Sequence, residues 1–153
     1  AVDRDPGKQA MAKLFGATDF VDASAGTTVE QIKALTGGGV HYSFECVGLK
    51  TTAEQSFAAL RARGVSTLIG MIPVGTKIEL NGFDFLNERR IQGSAMGSNR
   101  FRTDMPRLVD LYMQDRLRLK EMVSNRIALK DINEGFAALK SGGLARNVIV
   151  FEK

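Results

Sequence analysis

Short apolar runs alternate along this chain with segments in which apolar residues recur every three or four positions. Continuous apolar runs predict buried β-strands, and VSTLIGMI at 65–72 is the strongest of them. The first residues, AVD, are typical of the end of a strand. The other runs predict strands at 18–22, 40–48, 77–80, 89–97, 122–128 and 147–151.

Amphipathic segments between these runs predict helices, and several begin at typical capping residues. Asp5 before Pro6 is a favourable helix start, and Gly16 is a favourable stop. Later starts carry pairs with capping-box spacing: Thr27 with Glu30, Thr28 with Gln31, and Thr51 with Glu54. Helices are predicted at 6–15, 28–35, 51–62, 83–88, 103–116 and 131–140.

The alternation of strands and helices predicts a doubly wound α/β fold, in which helices cover both faces of a parallel sheet. No internal repeat, linker or low-complexity segment interrupts it, so residues 1–153 are predicted to form one domain.

Composition and cysteine usage narrow the functional classes. The chain is 44% hydrophobic and 25% charged, and no apolar run is long enough to span a membrane, so no membrane partner is expected. The lone Cys46 rules out an internal disulfide and indicates a reducing, cytoplasmic compartment. A single Cys and a single His also rule out a zinc finger and a His-Glu-x-x-His site.

Charge gives little sign of a nucleic-acid partner. The chain has 21 basic and 17 acidic side chains, and its arginines at 100–118 alternate with Asp104, Asp110 and Asp115. Without an aromatic stacking platform, this segment is interpreted as a solvated helix face, and no nucleic acid is expected. His41 has no acid or nucleophile beside it in the sequence, so a structural role is favoured over a catalytic one.

Asp3 raises the first specific hypothesis. In a dinucleotide-binding βαβ unit the second strand ends in an acid, about 20 residues after a Gly-x-Gly-x-x-Gly turn, and this acid binds the adenosine ribose. Here that turn is missing, because Gly37 and Gly39 are followed by Tyr42 where the third glycine is needed. The alternative is an acid that only stabilises a helix N-terminus.

Four separated segments resemble the medium-chain, zinc-dependent alcohol dehydrogenases: VDRDPGKQAMAKLFGATDFVD, GGVHYSFECVG, GVSTLIGMIP and INEGFAALKSGGLARNVIVF. The resemblance covers the whole chain but less than half of a full-length member. It implies a partial Rossmann-type domain that lacks its first strand, its glycine-rich turn and the N-terminal catalytic domain. Such a chain is a truncated form or a fragment, expected to be inactive alone. The zinc ligands lie in the missing part, so no catalytic or metal-binding residue is assigned here.

The resemblance also implies where NAD binds. Asp3 would hold the adenosine ribose and favour NAD, although Arg4 leaves NADP open. Lys8 would lie near the same ribose, unless it is a solvated helix lysine. Arg146, after a helix stop at 141–143, would reach the pyrophosphate, unless it is a surface arginine. Contacts near the nicotinamide are implied for Cys46, Val47, Gly48, Gly70, Met71, Ile72, Ala95 and Met96, and core packing is the alternative for the apolar ones.

The activity implied is hydride transfer between an alcohol or aldehyde and NAD, with zinc polarising the oxygen in the full-length enzyme. A formaldehyde-adduct or polyol dehydrogenase, or a non-enzymatic nucleotide-binding module, remains possible on this sequence. The family's pairing across a two-fold axis implies a homo-oligomer joined through the predicted strand at Lys77–Leu80.

Overall fold

Strands and helices alternate along residues 1–140, 142 and 145–151, the part of the chain that the computed structural model describes. These residues fall into two units, Ala1–Asn99 and Arg100–Lys153, each described by itself below.

All strand pairings in the first unit are parallel. Strand β1 pairs with β2, and β4 lies between β3 and β5 in a second sheet. This arrangement confirms the predicted α/β class, with the strands in two separate small sheets within the described residues. The elements are β1 (Val2–Asp3), α1 (Gln9–Leu14), β2 (Val21–Asp22), α2 (Thr28–Leu35), β3 (Val40–Glu45), α3 (Lys50–Ala58), β4 (Leu60–Leu68) and β5 (Arg90–Gly93).

Helix α3 forms the core of this unit by packing against β3 and β4. Phe57 and Leu60 are fully buried, and the Phe57 ring lies 5.0 Å from that of Phe85. On the same side, the hydroxyls of Ser56 and Ser66 share a hydrogen bond of 2.7 Å. Because side chains alternate along a strand, Tyr42 and Phe44 of β3 lie on the opposite face and are exposed.

The predicted helix starts are partly confirmed. The Asp5 carboxylate accepts the Gly7 N–H at 2.8 Å, as an N-cap should, although the first turn is a 3₁₀ turn and α1 begins at Gln9. At α2 the Thr27 hydroxyl accepts a hydrogen bond from the Gln31 side-chain amide at 2.9 Å instead of capping the backbone.

The second unit also places parallel strands beside helices. Strand β6 pairs with β7, and the Asn147 side-chain amide donates to the Gly135 carbonyl of α5 at 3.0 Å. Its elements are α4 (Phe101–Met113), β6 (Asn125–Ile127), α5 (Ile132–Lys140) and β7 (Asn147–Ile149). The predicted stop at Ser141 and Gly143 lies outside the described residues. No described helix in either unit is long and apolar enough to cross a membrane.

The predicted strand at Lys77–Leu80 is wrong, because the structure describes these residues and forms no strand there. Polar contacts attach the segment to α3 instead. The Glu79 N–H donates to the Glu54 carboxylate at 2.8 Å, and the Lys50 ammonium lies 2.6 Å from the Glu79 carboxylate. Helix α3 begins at Lys50 with Leu49 as its N-cap and has no side-chain capping bond, so the predicted capping box of Thr51 with Glu54 is not formed.

Several predicted boundaries also differ from those observed. Strand β3 ends at Glu45 instead of residue 48, and α3 ends at Ala58 instead of residue 62. Strand β4 then begins at Leu60 and pairs there with Val40. The Glu45 side chain, which turns the chain after β3, explains the first of these differences.

Candidate functional site

Most of the predicted cofactor residues of the first unit follow directly after its strands. In the sheet of β3, β4 and β5, Glu45 is level with Leu68 and Leu68 with Gly93, so the three strands end at one edge. The segments 46–48, 69–72 and 94–98 therefore begin side by side at the carboxyl ends of parallel strands. This is the edge at which open α/β sheets bind ligands.

Asp3 ends β1 and is brought together with Lys8. One carboxylate oxygen accepts the Asp5 N–H at 3.0 Å, and the other lies 3.3 Å from the Lys8 ammonium. The Asp3 side chain stays 35% exposed, so a ligand can still reach its carboxylate. Arg4, the neighbouring residue, is exposed.

Glu45 is the best-connected buried side chain at this edge. It is 3% exposed, and its Oε1 atom accepts three hydrogen bonds, from Val47 N–H at 2.8 Å, Gly48 N–H at 2.7 Å and the Thr52 hydroxyl at 2.7 Å. Its backbone carbonyl accepts the Ile69 N–H at 2.8 Å. Glu45 thus joins the turn after β3, the first turn of α3 and the end of β4.

The protonation state of Glu45 follows from two opposing effects. Burial raises the pKa of this carboxyl, whereas hydrogen bonds from Thr52, Gly48, Val47 and Leu49 lower it, and together these bonds prevail. The net result is a pKa below the usual value of 4.5, so Glu45 is ionised at neutral pH. Its Oε2 atom is buried without a hydrogen-bond partner among the described residues.

Two glycines allow the turn after β3 and the loop after β4 to touch. A Cβ atom on Gly70 would overlap the Gly48 amide nitrogen and lie 2.5 Å from Oε2 of Glu45. Gly48 has a φ of +85°, and a Cβ there would lie 2.7 Å from the Met71 amide nitrogen. The two backbones therefore approach each other more closely than any other residue type permits.

Cys46 is poorly suited to nucleophilic chemistry. The residue is exposed, yet partial desolvation of the thiol and then the negative charge of Glu45 raise its pKa above the usual value. A protonated thiol is a weak nucleophile, so the geometry supports no reactive role for Cys46 at neutral pH.

The segment after β5 has an unusual backbone. Met96, Gly97 and Ser98 have φ values of 50°, 71° and 51°, so three successive residues adopt the left-handed region. This conformation costs of order 1–3 kcal/mol at a non-glycine residue and is concentrated at functional sites. A hydrogen bond of 3.0 Å between the hydroxyls of Ser94 and Ser98 closes the turn.

For the apolar residues at this edge, packing in the core was the alternative to a contact near the nicotinamide. Three of these residues are not packed in the core of this chain. Val47, Met71 and Met96 are 68%, 92% and 95% exposed. Ala95 is also exposed, and Ile72 is half-buried. The sheet edge thus presents several exposed apolar side chains.

Arg146 lies in the second unit, directly before β7, as predicted. Its backbone carbonyl accepts the Ser124 N–H at 2.8 Å, and the residue is exposed. Its role at a pyrophosphate stays a prediction. His41, near the start of β3, is exposed and lies away from the strand ends.

Among residues 1–140, 142 and 145–151, no group of three or more His, Cys, Asp or Glu side chains is placed to hold a metal ion.

The parallel strands, their connecting helices and the aligned strand ends define a Rossmann-type α/β domain, and solved structures share it. Benzyl alcohol dehydrogenase from Acinetobacter calcoaceticus matches with a TM-score of 0.94 at 27% identity, over 99% of this chain and 42% of that one. A putative zinc-binding dehydrogenase from Sinorhizobium meliloti 1021, solved bound to NADP, gives a TM-score of 0.85 at 29% identity, over 98% and 44%.

The chain belongs to the zinc-binding dehydrogenase family, whose sequence profile matches residues 1–113. Geraniol dehydrogenase from Carpoglyphus lactis is 33% identical over 99% of this chain and 40% of the relative. S-(hydroxymethyl)glutathione dehydrogenase from Paracoccus denitrificans is 34% identical over 98% and 42%. The predicted resemblance is confirmed, and the chain spans about two fifths of the length of these relatives.

Proposed function

We propose that this chain is the cofactor-binding part of an oxidoreductase that transfers a hydride between an alcohol or aldehyde and NAD. The observation that carries the proposal is the half-exposed Asp3 carboxylate at the end of β1, beside Lys8, in a chain of the zinc-binding dehydrogenase family. NAD would supply the hydride acceptor, and the protein would supply binding and orientation.

The residues of the first unit fit such a cofactor. Asp3 has a reachable carboxylate that can accept hydrogen bonds from ribose hydroxyls, with Lys8 and Arg4 beside it. The exposed side chains of Val47, Met71 and Met96 at the same sheet edge offer apolar contacts to the nicotinamide and its ribose. In the second unit, the exposed guanidinium of Arg146 is proposed to bind the pyrophosphate, which a planar fork suits well.

The NAD preference depends on charge. A carboxylate at Asp3 repels the 2′-phosphate of NADP, whereas the exposed Arg4 would attract it. One structural neighbour, the dehydrogenase from Sinorhizobium meliloti, was solved bound to NADP. We propose that Asp3 decides the preference for NAD, because the Asp5 N–H holds its carboxylate in position.

A chimaera provides the test, with this chain replacing the matched 42% of the Paracoccus denitrificans relative. We expect NAD-dependent oxidation of that relative's substrate and tighter binding of NAD than of NADP. Asp3→Gly should remove about 1.5–3 kcal/mol of that preference, and Glu30→Gln, at an exposed acid on α2, should not change it. An Asp3→Gly chimaera with an unchanged NAD/NADP ratio would contradict the proposal.

A formaldehyde-adduct substrate is the second candidate. Relatives at 34% identity carry the name S-(hydroxymethyl)glutathione dehydrogenase in both Paracoccus denitrificans and Schizosaccharomyces pombe. Comparing turnover of simple alcohols and of the glutathione adduct in the complete enzyme would separate the two. For that enzyme we also propose a cytoplasmic location, zinc ligands outside these residues and a homo-oligomeric state.

A further inference from the structure

Glu45 carries a buried negative charge that no basic side chain of the described residues neutralises. The carboxyl group is ionised at neutral pH, and the residue is 3% exposed. Its hydrogen-bond donors are uncharged, namely two backbone N–H groups and the Thr52 hydroxyl, and it takes part in no ion pair within residues 1–140, 142 and 145–151. The start of α3, beside Thr52, offers only about half an elementary positive charge, so a net negative charge remains.

The free oxygen of this carboxylate lies against the loop after β4. Oε2 has no hydrogen-bond partner in the described part of the chain, and a Cβ atom on Gly70 would lie 2.5 Å from it. The other oxygen, Oε1, accepts the N–H groups of Val47 and Gly48. The charge is therefore enclosed between 46–48 and 69–72, two segments for which we propose contacts with the nicotinamide and its ribose.

The electric field of this charge extends to the exposed end of β3. Partial desolvation of the exposed Cys46 thiol, and then the negative charge of Glu45, raise its pKa above the usual value. Water and salt screen a buried charge much less than an exposed one. Glu45 therefore attracts a positively charged group bound at this edge of the sheet, and it has no comparable attraction for an uncharged group.

We infer that Glu45 makes this edge of the sheet favour the oxidised cofactor, NAD⁺, over the reduced form, NADH. The inference rests on the proposed function. Hydride transfer carries two electrons and one proton from the alcohol carbon to the nicotinamide ring, releases the hydroxyl proton of the alcohol and cancels the positive charge of the ring. Glu45 thus stabilises the form that is ready to oxidise an alcohol. Because its carboxylate is covered by protein, Glu45 acts on the ring through its charge and not through contact.

The test measures the dissociation constants of NAD⁺ and NADH by calorimetry in the chimaera, where this chain is part of a complete enzyme. Glu45→Gln keeps the size of the side chain and an acceptor oxygen but removes the charge. We expect the ratio of the NAD⁺ to the NADH dissociation constant to rise at least about fivefold, because only the binding of NAD⁺ loses an attraction. Glu30→Gln, which removes an exposed charge on α2, should leave this ratio unchanged.

Two variants at Thr52 change the surroundings of the charge without replacing Glu45. The Thr52 hydroxyl donates to Oε1 at 2.7 Å, so the ammonium of Thr52→Lys can donate in its place and neutralise the carboxylate. Thr52→Val removes the hydrogen bond and keeps the charge. The ratio should rise at least about threefold in Thr52→Lys and stay unchanged in Thr52→Val. If Glu45→Gln fails to fold, this pair still decides the result.

Two results would overturn the inference and leave the proposed function intact. One is a Glu45→Gln chimaera that binds NAD⁺ and NADH more weakly by the same factor, which would show that Glu45 only holds the two segments in place. The other is an equal rise of the ratio in Glu30→Gln, which would show an effect of overall charge. An unmodified chimaera that binds neither form would instead contradict the proposed function, and the inference with it.

Discussion

The Glu45 side chain fixes the relative positions of three segments at the sheet edge. It accepts hydrogen bonds from the turn after β3 and from Thr52 on α3, while its backbone carbonyl binds the end of β4. Truncating such a buried, charged acceptor leaves several donors without a partner, and this is a recognised cause of large destabilisation.

We predict that Glu45→Gln lowers the free energy of unfolding by about 1–3 kcal/mol at neutral pH. A folded-state pKa below the unfolded value means that the carboxylate stabilises the fold above the usual value of 4.5. That contribution is lost as the pH falls through the folded pKa, so the difference between the two proteins should shrink in acid. Urea unfolding at about pH 7 and about pH 4 measures this, with Glu30→Gln as the control. If the two proteins differed equally in free energy of unfolding at both pH values, the charge of Glu45 could not be the source of that difference.

Arg146 should affect ligand binding without affecting folding. We predict that Arg146→Ala in the chimaera weakens NAD binding by about 1.5–3 kcal/mol, roughly ten- to a hundred-fold in Kd. Stability should barely change, because the residue is exposed and substitutions at such positions have small effects. Titration with NAD, using Arg118→Ala as a control, is the measurement. The same Kd in a well-folded Arg146→Ala protein would show that this arginine does not bind the cofactor.

Sequence alone placed Asp3 at a strand end and Arg146 before the last strand, because short apolar runs and glycines are local signals. It could not predict the contacts of Glu45, because they form only after α3 and β4 pack beside β3. The Thr52 hydroxyl then donates to the Glu45 carboxylate, and the Ile69 N–H donates to the Glu45 backbone carbonyl. Nor could it show that Met71 and Met96 are exposed, because an apolar side chain alone favours a buried position.

Among the elements, 77–80 is the clearest departure from the sequence pattern. Its residues alternate as a strand does, but a strand also needs a neighbour to share hydrogen bonds. Here Glu79 is attached to Lys50 and Glu54 instead. Similarly, Arg63 adopts a φ of 63° inside β4, a local feature that hydrophobic patterning does not encode.

We predict that the chain self-associates through Lys77–Leu80, with the same segment of a second copy supplying the missing strand neighbour. Sedimentation velocity at increasing concentration should show a dimer. Ile78→Pro, which removes a backbone N–H, should shift the equilibrium towards monomer, while Ile78→Val should not. Slower amide exchange should appear at 77–80. A compact monomer at high concentration would contradict the prediction.

For the whole molecule, metal content provides a simple measurement. We predict that the purified chain holds no stoichiometric zinc and oxidises no alcohol alone, because it has a single Cys and a single His. Elemental analysis of the chain beside the chimaera tests this, with zinc expected only in the chimaera. Tightly held zinc in the isolated chain would overturn the prediction.

The contact between Gly48 and Gly70 has a consequence for protein engineering. Because the two backbones touch, the turn at 46–48 and the loop at 69–72 cannot be exchanged between relatives independently. A graft that imports one loop with a slightly different path would collide with the other. Successful recombination of these enzymes should therefore keep both segments from the same parent, and crossover points are better placed before β3 or after Ile72.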